Sequence, residues 1–203
     1  MKTTASSTQQ TAYFQEYKTY ISSALDHMEI TLFGKSLQLD KGFAELAKRT
    51  KYLRDNDGTL FFFGNGASAT MGEHMSFDFL QNAKVRTSTC SETSYLTAIS
   101  NDISFEAVFS FKVDKLARQN DIVVTTSSSG SSPNIVKAIQ KAKEKGIFVV
   151  TLSGKRPDNP SRQLGDFNFY VPCETYGTTE VCHAFILHCW LDAFLDMYEG
   201  GRH

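Results

Sequence analysis

Five side chains in this sequence combine proton-transfer or metal-ligating chemistry with telling spacings. His74 and Asp78 stand four apart, the interval that puts two side chains on one face of a helix. Glu180, His183 and His188 fall in a stretch otherwise built of Val181, Ala184, Phe185, Ile186, Leu187, Trp190 and Leu191. A helix apolar nearly all round is buried, and titratable groups within it need partners. Glu180 and His188, eight apart, fall roughly on one side of that helix, two turns from each other. The residues alone leave two readings open: Glu180 and His188 pair structurally, with each other or with a neighbouring chain, or they belong to a site.

Two loops supply a second kind of chemistry. Gly64-Asn65-Gly66-Ala67-Ser68 follows the apolar run 59–63, and Ser127-Ser128-Ser129-Gly130-Ser131-Ser132-Pro133-Asn134 follows the apolar run 121–125. Each opens a stretch of helical composition. Glycine lets backbone approach a phosphate closely, and free N–H groups at a helix start favour negative charge. Ser68, Ser127, Ser129 and Ser132 are candidate hydroxyl donors, and Ser132-Pro133-Asn134 reads as a helix start with proline at an early position. Gly and Ser are also common in plain tight turns; two such loops in one chain point to a phosphorylated ligand. No G-x-x-x-x-G-K-[ST] occurs, so this is not a P-loop. The first loop is not G-x-G-x-x-G, and no acidic residue stands ~20 positions on at the end of a second strand, which disfavours a dinucleotide.

The elements that must position these groups follow from periodicity. Apolar spacing predicts helices over 11–33 and 37–53, with a turn at Asp55-Asn56-Asp57-Gly58. Strand-type runs follow at 60–63, 85–89, 122–126, 148–152 and 167–171, alternating with helical stretches 68–81, 105–118, 132–145 and 179–198. Alternation of this kind predicts an α/β three-layer αβα sandwich on a five-stranded parallel sheet. Both loops then lie at strand carboxyl ends, where such sheets bind ligands. One domain over 11–203 is expected, including N-terminal helices 11–54, behind a frayed polar segment 1–10.

A net charge of −1 with no basic block does not suit nucleic acid as the main partner. No apolar run approaches ~18 residues, so no membrane-spanning helix is expected, nor a secretory leader. Cys90, Cys173, Cys182 and Cys189 form no C-x-x-C pair and read as reduced thiols of a cytoplasmic protein.

Asn65-Gly66-Ala67-Ser68, the Asn101-Asp102 pair and the serine-rich loop resemble the sugar isomerase (SIS) fold, and within it the phosphoheptose isomerases, from about residue 11 to the C-terminus. That family carries His-x-x-x-Glu on the first helix of the fold and Gln-x7-His on the last, four residues that bind zinc, with the Glu and the distal His transferring protons. The resemblance implies that His74, Asp78, Glu180 and His188 hold one zinc per subunit and that Asp78 and His188 are catalytic. It implies substrate or phosphate contacts from Asn65, Gly66, Ser68, Asp102, Ser127, Ser128, Ser129, Ser132 and Glu180. His183 matches a histidine the family carries but does not use as a ligand. Four positions depart from the family: Asp78 replaces Glu, Glu180 replaces Gln, Asn82 replaces a frequent Arg, and Gly177 replaces an acidic residue. Asp78 is shorter by about one C–C bond, over 1 Å of reach. Two His and two carboxylates remain a plausible zinc set.

The activity implied is ketose–aldose isomerisation of sedoheptulose 7-phosphate to D-glycero-D-manno-heptose 7-phosphate through a zinc-assisted cis-enediol, for lipopolysaccharide or capsule precursors. A cytoplasmic homotetramer with sites at subunit interfaces is implied too, with neither nucleic acid nor membrane as partner. The alternative is a non-catalytic SIS protein that binds a replication initiator or senses a phosphosugar. The presence of both histidines and both carboxylates favours the enzyme.

Overall fold

The computed structural model describes residues 7–201. Most of the expected segment 1–10 therefore lies outside the described residues; from Ser7 the backbone is helical. In chain order the elements are α1 (Ser7–Asp26), β1 (Glu29–Leu32), β2 (Lys35–Leu37), α2 (Leu39–Asp55), β3 (Thr59–Gly64), α3 (Ala67–Asn82), β4 (Arg86–Ser88) and α4 (Thr93–Asp102). A 3-10 turn, Phe105–Ala107, leads into α5 (Val108–Leu116), followed by β5 (Ile122–Ser127), α6 (Pro133–Glu144), β6 (Phe148–Gly154), α7 (Pro160–Leu164), β7 (Phe167–Val171) and α8 (Tyr176–Tyr198).

The sheet has seven strands in the order β2-β1-β7-β6-β5-β3-β4. The five expected strands, β3 to β7, are all present and mutually parallel. The two additional strands correct the helix expected over 11–33. That helix stops at Asp26, and the chain turns into a hairpin whose β1 runs antiparallel to β7. Leu32 pairs with Lys35 across the two-residue turn Phe33-Gly34, whose φ values are 49° and 75°. Positive φ at both turn positions matches the right-handed twist of a tight hairpin. Ile30, fully buried, seals the hairpin onto α2; a Cβ at Gly42 would stand 2.6 Å from the Ile30 Cδ1.

Side chains alternate across β3. Leu60 and Phe62 enter a core with Phe79, Trp190 and Phe194, whereas Phe61 and Phe63 face α5 and α6 through Phe109, Val113, Ile135 and Ile139. The first face matters for chemistry, because it fixes α3 against α8. Phe79 and Trp190 meet edge to face at 5.0 Å, and the Trp190 Nε1 donates to Thr50 Oγ1 of α2 at 2.9 Å. Truncating a buried aromatic of this kind costs about 3–5 kcal/mol. The three helices are thereby locked at one register under the sheet.

Candidate active site

β3 and β5 are adjacent and parallel, so their carboxyl ends open side by side. The loops that follow them are tied together. Asn65 Nδ2 donates to Asn134 Oδ1 at 3.0 Å, and Asn134 Nδ2 donates back to Asn65 Oδ1 at 2.9 Å. The first loop turns at Gly66, with φ 55°, and a Cβ on Gly64 would come within 2.6 Å of the Ser68 backbone. The second turns at Gly130, with φ 63°, under Asn159. Ser132 is the N-cap residue of α6, yet its hydroxyl makes no cap bond and lies 3.4 Å from Ser127 Oγ. Both hydroxyls thus face the space in front of the helix start.

That space is a cavity of about 100 Å³. Asn65 and Ser68 line it from the first loop, with Thr126, Ser127, Ser128, Ser129 and Ser132 from β5 and the second. Tyr176 and Glu180 close it from α8. Hydroxyl and amide groups around a helix N-terminus make a cradle for a phosphate. Thr126 and Tyr176 were not singled out in the sequence. Thr126 hides in an apolar strand pattern, and one tyrosine at a helix start carries no motif. Gly66 and Asp102 do not line the cavity. Gly66 caps α3, and Asp102 ends α4, where its Oδ1 accepts from Asn101 Nδ2 at 2.9 Å.

The second half of the site lies where α3 meets α8. His74 Nε2 stands 3.2 Å from Asp78 Oδ2, as the four-residue spacing requires. The His188 ring lies 5.4 Å from that of His74, tilted by 56°. Ligand atoms of His74, Asp78 and His188 all fall within 4.8 Å of one another, close enough to hold one cation. Two imidazoles and one carboxylate suit a divalent transition metal, and a three-ligand set leaves a position open for substrate. Glu180, expected as a fourth ligand, does not join this group and instead faces the phosphate-type cavity. Eight helical residues rise ~12 Å and rotate ~80° past two full turns, so Glu180 and His188 stand apart along α8. His183 sits deeper on α8 and is fully buried. Neither ring nitrogen has a well-formed hydrogen bond. Burial drives its pKa down to about 4, against a weaker upward pull from the Ser153 backbone.

A doubly wound sheet with two joined anion loops at adjacent strand ends, and a His/Asp/His group on the helices α3 and α8 beside them, defines a sugar-phosphate-type SIS domain. The SIS domain family model matches residues 16–154. The chain is 32% identical to a phosphoheptose isomerase of Helicobacter pylori over 144 residues, 68% of this chain and 74% of that one. It is 34% identical to a phosphoheptose isomerase of Campylobacter jejuni over 137 residues, 64% of this chain and 73% of that protein. The solved phosphoheptose isomerase of Neisseria gonorrhoeae superposes with a TM-score of 0.77 at 26% identity, covering 92% of this chain and 97% of that one. The chain belongs to the phosphoheptose isomerase family of SIS-domain proteins.

Proposed function

We propose that this protein is an aldose–ketose isomerase that converts sedoheptulose 7-phosphate to D-glycero-D-manno-heptose 7-phosphate. The observation that carries the reading is the junction of two sites: a phosphate-type cavity from the serine loop, and the His74, Asp78 and His188 group on the helices beside it. The serine loop and Asn65 hold the phosphate. Glu180, between the two, accepts hydrogen bonds from sugar hydroxyls. Asp78 Oδ2 is engaged with His74, which leaves Oδ1 to take the proton from the carbon next to the carbonyl. As that proton leaves, the C–H electron pair forms the enediol double bond and the carbonyl oxygen gains a proton. His188 moves the proton between the two oxygens. Return of the proton from Asp78 to the neighbouring carbon completes the aldose. His74, Asp78 and His188 would hold zinc, which would supply Lewis-acid polarisation of the substrate carbonyl. A non-catalytic SIS protein would have no use for this constellation.

Homotetrameric assembly with sites at subunit contacts belongs to the same reading. Phe77 and Leu80 of α3 and Val181 and Phe185 of α8 are exposed on the helices that carry the catalytic group. A cytoplasmic setting belongs to the same reading. Among the described residues no helix is long and apolar enough to cross a membrane.

The test is incubation with sedoheptulose 7-phosphate followed by NMR, with and without a chelator. Turnover that the chelator suppresses and zinc restores is expected. Asp78→Asn and His188→Ala should each lose about 10²–10⁴-fold in kcat at unchanged melting temperature, the contribution of a positioned acid or base. Absence of turnover by the zinc-loaded parent overturns the reading.

A further inference from the structure

Charge in the phosphate-type cavity is unbalanced. A phosphate monoester carries nearly two negative charges at neutral pH. Glu180 adds a carboxylate to the same wall, and none of the nine lining residues is basic. The cation brought against this wall is Lys155. Its Nζ lies 3.2 Å from the ring centroid of Tyr176, and Tyr176 lines the cavity one helical turn before Glu180. Tyr176 remains 60% exposed, so the ring is not placed there to fill a core.

The lysine is held with care. It follows β6 directly, and its neighbour Gly154 donates its N–H to Ser128 O of the serine loop at 3.2 Å. The Lys155 N–H donates to Cys173 O at 3.0 Å, and its carbonyl accepts from the Tyr170 hydroxyl at 2.8 Å. These bonds pin it at φ 57°, a conformation unfavourable for a residue with a Cβ. The pinned backbone sends the side chain across the Tyr176 ring.

We infer that Lys155, steered by the Tyr176 ring, is a binding residue for the phosphate end of the ligand. Tyr176 is its positioning residue. The ring holds the ammonium by a cation–π contact at the cavity rim, where it offsets Glu180 and attracts the dianion. This inference rests on the phosphosugar reading of the cavity, but its test does not depend on turnover.

The probe is inorganic phosphate, titrated calorimetrically into the full chain, alongside kcat and KM for sedoheptulose 7-phosphate. Lys155→Met keeps the stem and removes the charge. It should raise the phosphate Kd and the KM about tenfold, with kcat within about twofold. Lys155→Arg should restore both to within about threefold. Tyr176→Leu should raise the Kd by about threefold or more; it decides the matter if Lys155→Met folds poorly. A Kd within about twofold of the parent in Lys155→Met, a loss confined to kcat, or no phosphate binding by the parent overturns the inference. If phosphate binding depends on Lys155 while sedoheptulose 7-phosphate is not turned over, the inference stands and the isomerase reading falls. If turnover is present and Lys155→Met is silent, the reverse holds.

Discussion

Two histidines on α8, five residues apart, live under opposite electrostatic rules. His188 is exposed at the rim with a carboxylate and a second imidazole for company. His183 is sealed behind it with neither nitrogen well bonded. An imidazolium in that place would be a buried, unpaired charge, so the ring stays neutral and its pKa falls from 6.5 to about 4. The consequence is a pH-dependent stability with a definite sign. Between pH 6.5 and about 4 the unfolded chain takes a proton on His183 that the folded chain refuses. Stability is therefore full above pH 6.5, falls as the medium is acidified, and levels off below about pH 4. The full effect is about 3 kcal/mol. His183→Leu removes the titrating group and leaves no polar atom unsatisfied, a change that is near neutral when the shape is kept. Thermal melts of the two proteins across this pH range check the point: the acid loss should flatten in the variant. An unchanged slope would assign the loss to other groups. Asp78 is governed instead by reach. One methylene fewer than glutamate still brings its Oδ2 to 3.2 Å from His74, so the shorter side chain does not break up the group.

At the level of elements, two loops act as one cradle because reciprocal amide bonds join Asn65 to Asn134 and because Gly130 lies under Asn159. Asn159 is itself committed: its Oδ1 caps α7 through the Arg162 N–H at 3.0 Å, and its Nδ2 donates to Ser153 Oγ at 3.1 Å. A Cβ at Gly130 would stand 1.9 Å from that Oδ1 at a φ of 63°. Gly130→Ala should therefore displace Asn159 and the loop together, lowering stability by about 2–4 kcal/mol and raising KM more than kcat. Chemical denaturation with steady-state kinetics reads both, and a variant within about 0.5 kcal/mol of the parent would show that the loop yields freely. The cradle was legible in the sequence because strand, small-residue loop and helix each leave a local signature at fixed offsets. The β1–β2 hairpin was not. Residues 11–33 carry helix-compatible apolar spacing, β1 is only four residues long, and Phe33 is not a residue that signals a positive-φ turn. The placement of Glu180 was legible as a helix position but not as a direction, since ~80° of rotation separates it from His188. Tyr176 left no trace, because its role comes from Lys155, 21 positions earlier in the chain.

The whole molecule leaves the His74, Asp78 and His188 group on an open face. The His74 side chain is 58% exposed, and His188 is exposed beside it. An enediol intermediate needs water excluded, both to strengthen the charges that hold it and to prevent side reactions. The flanking surface is apolar: Phe77 and Leu80 project from α3, and Val181 and Phe185 from the adjacent α8, each about half exposed. Exposed apolar area rimmed by polar groups marks an association surface. A second copy laid against it by a two-fold axis would cover both sets of residues at once, because such an interface is self-complementary. Repeating that contact around a second axis gives the tetramer proposed above. Sedimentation velocity should then show a species of four chains at micromolar concentration. Phe185→Glu combined with Leu80→Glu sets like charges across the interface and should shift the protein to smaller species. Neither side chain is a ligand or a base, so loss of kcat by about tenfold or more in the dissociated variant, with the monomer still folded by circular dichroism, would tie turnover to assembly. Full turnover by a stable monomer would mean that the open face suffices, and that α3 and α8 exclude water without help.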